Sequence, residues 1–409
     1  MGRDALPVNA GAPAPPAAPA LGRNVIALSA VSFFTDVSSE MIYPLIPVFL
    51  ATTLGASASA VGTVEGAAES TAALLKLVSG WISDRVKRRK PLVVAGYLLA
   101  TVVRPLIGFA QSVAQVMAIR VTDRVGKGIR TAPRDALIAD SVDASVRGRA
   151  FGFHRAADHA GAVVGPLIAF AVLRWEGIPL RHVFLWAAVP GAIAVLVLVM
   201  AVRETPRRDD DRPQAVHLEG GLGGRFWAFI AVVLLFTLGN STDAFLLLRA
   251  SQLGVPAALA PLLWAMLHVV KSLSSTPGGA LSDRIGRKPL IVAGWTVYAA
   301  VYLLFGRATE AWQAWALFAA YGIYFGLTEG VEKALVTDLV PSARRGAAFG
   351  WYNLALGVAA LPASVLFGVI WDRAGAPVAF AFGAAMAALA AAGLLFVLPA
   401  QQQRAPGRS

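Results

Sequence analysis

Carboxylates and cations recur at helical spacing inside stretches that are otherwise apolar. Asp36 and Glu40 stand one turn apart on one face, and Glu65, Glu69 and Lys76 form a stripe in the next stretch. Arg104 follows, and then a broad face of Arg120, Asp123, Arg124, Lys127 and Arg130, running on to Arg134 and Asp135. His154, Arg155, Asp158 and His159 come next. The second half is sparser, with Asn240 and Asp243, then His268 and Lys271, then Glu329, Glu332 and Lys333. Ionisable groups at such depth are costly and face either a cavity or a partner. Acids in a wet cavity can load and release protons near neutral pH, and bases attract or orient an anionic group. Asp36 and Glu40 are therefore the first candidates for proton coupling, with Glu65 and Glu69 behind them. Arg120, Asp123, Arg124, Lys127, His154, Arg155, Asp158, Asn240, Asp243, His268, Lys271 and Glu329 are the candidates for contact with a solute. For any single residue a structural salt bridge is an equal alternative. For the whole set it is not, because one half of the chain would then carry far more of this glue than the other. The histidines suit pH sensing or ordinary hydrogen bonding, and their spacing is not that of metal ligands.

These side chains need long apolar elements to carry them. Of 409 residues, 57% are hydrophobic and 15% charged, where a soluble domain carries about 25% charge. The sequence predicts an all-α polytopic membrane protein. Apolar runs of spanning length cover 25–50, 61–82, 92–110, 113–132, 150–173, 183–202, 226–248, 257–281, 290–305, 314–339, 347–371 and 378–398, which makes about twelve helices. Residues 1–22, rich in Ala and Pro, are expected to form a disordered tail, and 400–409 a C-terminal tail. Between them lie a bundle over 23–203, a polar linker over 204–225 and a second bundle over 226–399. There is no cysteine, so neither a disulfide nor a thiolate metal site is possible. The net charge of +12 sits in short loops between apolar runs, which speaks for membrane topology and against nucleic acid. Lys and Arg gather in alternate loops, from Arg85 to Lys90, at Arg147 and Arg149, in the linker, from Arg284 to Lys288 and at Arg344 and Arg345. The opposite loops hold only scattered cations such as Arg181, Arg249, Arg307 and Arg373. This places both termini in the cytoplasm, with the chain in the inner (plasma) membrane.

The two bundles are repeats. Gly80-Trp-Ile-Ser-Asp84-Arg85 returns as Gly279-Ala-Leu-Ser-Asp283-Arg284, an offset of 199. Arg147-Gly-Arg-Ala-Phe-Gly152 returns as Arg345-Gly-Ala-Ala-Phe-Gly350, and Asp140 falls on Asp338, both at 198. Parallel six-helix repeats place a substrate site between the halves near the membrane midplane. The segment Gly126-Lys127-Gly128-Ile-Arg130-Thr-Ala-Pro133-Arg134 reads as a kinked or unwound stretch facing that cavity.

Each hinge copy resembles the loop signature of the major facilitator superfamily, G-x-x-x-D-R-x-G-R-R/K. The second copy keeps the inner glycine as Gly286, where the first has Lys87. Arg120-Val-Thr-Asp-Arg124-Val-Gly126-Lys-Gly128 is similar to the family's fourth-helix pattern. Gly152, Gly161 and Gly165-Pro166 resemble its fifth-helix antiporter signature, with Ala169 and Phe170 where the final glycine pair would stand. The resemblance implies a major facilitator fold of two pseudo-symmetric six-helix bundles. It also implies a cytoplasmic gate of Asp84, Arg85, Asp283 and Arg284, with Arg130 or Arg134 as the partner of Asp84. Gly152, Gly161, Gly165 and Pro166 would serve close helix packing. The expected activity is alternating-access transport without a cofactor, by a monomer in the lipid bilayer, exporting a small organic solute or drug against protons. The alternative is proton-driven import of an anionic nutrient or metal chelate, with Arg120, Arg124 and Lys127 as its anion site. Neither a nucleophile–base pair nor a His-Glu zinc motif supports an enzyme.

Overall fold

The computed structural model describes residues 22–83, 85–86, 88–142, 147–174, 178–204, 221–341 and 344–397. Asp84, nearly all of both expected tails and residues 205–220 of the linker fall outside these residues, as does the side chain of Asp283. Twelve helical stretches appear among the described residues. They are α1 (Arg23–Thr53), α2 (Ala58–Ser83), α3 (Lys90–Phe109), α4 (Val113–Asp140), α5 (Arg147–Arg174) and α6 (Leu180–Ala201). The second series is α7 (Gly224–Gln252), α8 (Ala260–Ile285), α9 (Arg287–Arg307), α10 (Ala311–Leu339), α11 (Arg345–Ala374) and α12 (Ala376–Val397). Nine of these described stretches are long and apolar enough to cross a membrane. The three others, α2, α4 and α10, are held below that threshold by the charges picked out above. α6 shows what a lipid-facing surface looks like, with Val189, Ile193, Leu196 and Met200 exposed at intervals of three or four residues.

The repeat is visible in the packing. α1 lies on α5 and α6, α2 on α4, and α3 on α4 and α6. In the second series α7 lies on α11 and α12, α8 on α10, and α9 on α10 and α12. The halves meet through α2 against α11 and α5 against α8. Matched lysines brace each half. Lys90 Nζ donates to the carbonyls of Val199 and Val202 at the end of α6, and Lys288 Nζ to that of Leu395 at the end of α12. The matched acids are paired as well, Asp140 with Arg89 and Asp338 with Arg287 (3.6 Å). Lys90 and Arg89 therefore do more than set orientation. Gly286 joins α8 to α9 at φ +96°, a conformation that other residues rarely adopt.

α4 corrects one expectation. It stays helical from Val113 to Asp140 through Gly126, Gly128 and Pro133. Its glycines serve packing. A Cβ at Gly126 would stand 2.6 Å from the Gly96 carbonyl oxygen, and one at Gly128 would stand 2.4 Å from Leu75 Cβ. The breaks lie elsewhere. α7 unwinds at Asn240–Asp243, and α1 tightens into a 3-10 turn at Tyr43–Leu45, where Pro44 cannot donate its share of the ladder. Side chains satisfy backbone groups around the α7 break. Tyr298 OH donates to the Gly239 carbonyl (3.0 Å), and Ser364 Oγ accepts from Thr242 N–H (3.3 Å).

Fifth-helix packing divides. Gly161 and Gly165 press on α1, where added Cβ atoms would lie 2.5 Å from the carbonyl oxygens of Phe33 and Val37. Gly152 has open space where its Cβ would be, so it seats no neighbouring helix. Pro166 lies within α5 without breaking it.

Candidate functional site

Both broken helices point their irregular stretch at a cavity of about 420 Å³ between the halves. Glu40, Tyr43, Glu65, Glu69, Arg124 and Lys127 line it from the first half. Asn240, Asp243, Trp264, His268, Lys271 and Tyr321 line it from the second. Nine of the proton and solute candidates named from the sequence are thus brought together, and seven are not. Asp36 sits beside the cavity on α1, with Asp158, Glu40, Lys127 and Arg130 as its charged neighbours. Among the described residues it makes no ion pair.

Arg120 and Asp123 are buried behind the cavity wall. Arg120 Nε and Nη2 grip the two oxygens of Glu65 at 2.9 and 2.5 Å, which ties α4 to α2. Asp123 receives Arg104 Nη2 at 2.9 Å from α3, with Arg120 at 3.7 Å and Arg124 at 3.9 Å. Arg124 reaches Glu69 at 3.1 Å. Three arginines thus meet three carboxylates in one neutral layer, so Arg120 and Asp123 act as helix ties and do not line the cavity. Among the described residues, Lys127 is a cavity cation without an ion pair.

Other candidates are also placed. Lys271 pairs with Glu329 at 2.9 Å, and Glu329 lies outside the cavity lining. His154 and Arg155 lean on Asp158, at 3.7 and 3.4 Å. With His159, Arg155 lines a separate crevice between α5 and α8. Arg130 lies over the Tyr97 ring, 4.3 Å from its centre, and Arg134 binds Asp135 at 2.8 Å. Arg85 and Arg284 sit in the hinges with exposed side chains.

The second half answers the ionic layer with aromatic rings. At the repeat offset of 198, Arg104 and Asp123 correspond to Tyr302 and Tyr321. Tyr298 stacks on Tyr302 with centres 4.1 Å apart, and Phe236 on Trp295 at 4.6 Å. Tyr321 OH reaches the cavity and donates to Asp243 at 2.6 Å. Sequence reasoning missed this wall, and it also missed Trp264, which stands one turn before His268. Trp264 Nε1 donates across the seam to Glu40 at 2.8 Å, with His268 at 3.9 Å from the same carboxylate.

One end of the cavity is shut. At the end opposite the termini, Asp372 of α11 accepts the N–H groups of Ala58 and Ser59, both at 2.8 Å, and so caps α2 of the other half. Further along the same seam Ser70 Oγ donates to the Gly357 carbonyl at 2.6 Å. Beyond that level, toward the termini, Leu74, Leu77 and Val78 of α2 and Leu273 of α8 are exposed, and a crevice lined by Arg155, His159 and Leu273 opens between α5 and α8. Asp372→Ala is expected to cost the closed end about 1 kcal/mol of capping, roughly a fivefold shift in population. Single-cysteine labelling at Ala360, feasible in a chain without cysteines, measures it from the far side.

Comparison with known proteins decides the family. The model of the Major Facilitator Superfamily matches residues 28–271 and 228–409. The chain belongs to the Major Facilitator Superfamily. Among superfamily relatives, it is 33% identical to an uncharacterised MFS-type transporter of Methanocaldococcus jannaschii over 383 residues, covering 92% of this chain and 95% of the relative. It is 26% identical to a multidrug resistance protein of Proteus mirabilis over 340 residues, covering 79% and 83%. The superfamily fold is seen again in the crystal structure of a nucleoside transporter, which superposes with a TM-score of 0.73 at 14% identity, covering 91% of this chain and 98% of that one. The chain is therefore a multi-pass membrane protein and a secondary transporter, not an enzyme.

Proposed function

We propose that this transporter exports a small organic solute in exchange for protons, as a monomer with both termini in the cytoplasm of the plasma membrane. The observation that carries the reading is the cavity itself. It is built from both halves, lined by ionisable side chains and shut at the end opposite the termini, and a crevice opens between the halves toward the other end. With the termini inside, this conformer is inward-open and ready to take solute from the cytoplasm. Rocking about the α2–α11 seam would expose the same cavity outside. Protonation of Asp36 or Glu40 there would release the solute and reset the carrier. Glu40 is suited to this, because its Trp264 and His268 contacts span the halves. The similarity to a multidrug resistance protein favours export. The import reading is weaker on this geometry, since Arg120 and Arg124 are occupied by Glu65 and Glu69, which leaves Lys127 as its anion site.

In liposomes with an imposed pH gradient and a panel of solutes read by mass spectrometry, Asp36→Asn and Glu40→Gln should each abolish proton-driven flux while expression persists. Unchanged flux in both variants would remove them from coupling.

A further inference from the structure

Glu332 is a buried carboxyl that the cavity does not use. It lies on α10 and is 7% exposed. Trp295 Nε1 of α9 donates to its Oε1 at 2.9 Å, and Tyr352 OH of α11 donates to its Oε2 at 2.7 Å. Among the described residues no cation lies within ion-pair distance of it. Its charged neighbours are Glu329 and Lys333 on its own helix, and Lys333 turns instead to Glu329 (3.5 Å). From α9 and α11 the groups that face it are these two neutral aromatic side chains, and Phe229 of α7 closes the far side of Tyr352 by stacking at 6.5 Å.

Apart from Asp36, which sits beside the cavity, every other carboxylate described in this ionic interior is held by arginine or lysine or stands in the cavity. A charge at membrane depth with neither cation nor water is costly, and a proton removes it. The two donors differ in a way that suits this. Indole N–H can only donate, so Oε1 stays an acceptor. A phenol donates or accepts, so Tyr352 can reverse. With Glu332 ionised, Tyr352 donates to Oε2. With Oε2 protonated, Glu332 donates to the Tyr352 oxygen, and the phenol proton turns away. One geometry serves both states.

We propose that Glu332 is a proton-binding site in the second half, separate from the cavity acids. The site couples α9, α10 and α11, because the direction of the Glu332–Tyr352 hydrogen bond reports whether the proton is present. As a coupling site it rests on the proton-exchange reading above, but its occupancy by a proton does not.

The test is infrared difference spectroscopy of the purified full chain across a pH titration. A protonated carboxyl gives a C=O band that carboxylates lack. The expected result is a band lost in Glu332→Gln and retained in Asp36→Asn and Glu40→Gln. In Trp295→Phe the band should move to higher frequency, since its carbonyl oxygen loses a donor. Tyr352→Phe, which leaves the acid in place, should shift it too, and this variant covers the case in which Glu332→Gln fails to fold. No such band in the wild type, or a band indifferent to Glu332, Trp295 and Tyr352 alike, overturns the site. A band that behaves as expected in a protein without proton-driven flux keeps the site and refutes the exchange reading.

Discussion

Arg120→Leu should cost about 3–5 kcal/mol of stability, the usual penalty for stranding one member of a buried ion pair. Glu65 would keep its charge at 0% exposure and lose both of its guanidinium hydrogen bonds, and Asp123 would lose one of its three arginines. The readout is the midpoint of thermal unfolding in detergent, which should fall well below that of the parent. The double variant Arg120→Leu/Glu65→Leu should recover most of the loss, because two apolar side chains in that site leave no charge unanswered. A single variant as stable as the parent would mean that water reaches Glu65. Arg120 would then join Glu65 at the cavity and return as a candidate for solute contact.

Gly62→Leu should keep the protein folded and stop it from cycling. A Cβ at Gly62 would lie 2.3 Å from the Ser364 carbonyl oxygen and 2.8 Å from the Phe245 ring, and Gly368 presses equally on Ser59 from the opposite helix. Backbone cannot yield as a side chain does, so the leucine must lever α2 away from α11 at the closed end. Overpacking of this kind costs about 1–3 kcal/mol, enough to shift a two-state equilibrium some 5- to 150-fold. Transport should fall by about that range. Labelling of a cysteine at Ala360 from the side opposite the termini should rise, and unchanged labelling would place the moving seam elsewhere.

Much of this was legible in the residues. The duplicated hinge, the matched aspartates and the apolar runs led to twelve helices in two halves, because membrane span and repeat offset are local properties of a chain. The site was legible by residue type but not by pairing. Nothing in the spacing of Arg120, Asp123 and Arg124 tells which faces Glu65 and which faces the cavity, since that depends on how α2 and α3 dock on α4. Glycines 126 and 128 were read as a weak point in α4, whereas their missing side chains admit α3 and α2. The α7 break did have a signal in Gly239-Asn240-Ser241-Thr242-Asp243, a run of turn formers within an apolar stretch. Asp372 had none, because a cap on another half's helix joins residues more than 300 positions apart.

The unlike middles of the two bundles set how each can respond to its surroundings. Arginine–carboxylate contacts hold their partners by direction and charge, so they break and reform as alternatives, and a passing ion or proton can compete for them. Stacked rings have no such competitor in water and yield mainly to a change in volume. The middle of the first bundle is thus addressable through several ion pairs, whereas that of the second, apart from the proton site at Glu332, is mechanically stiff.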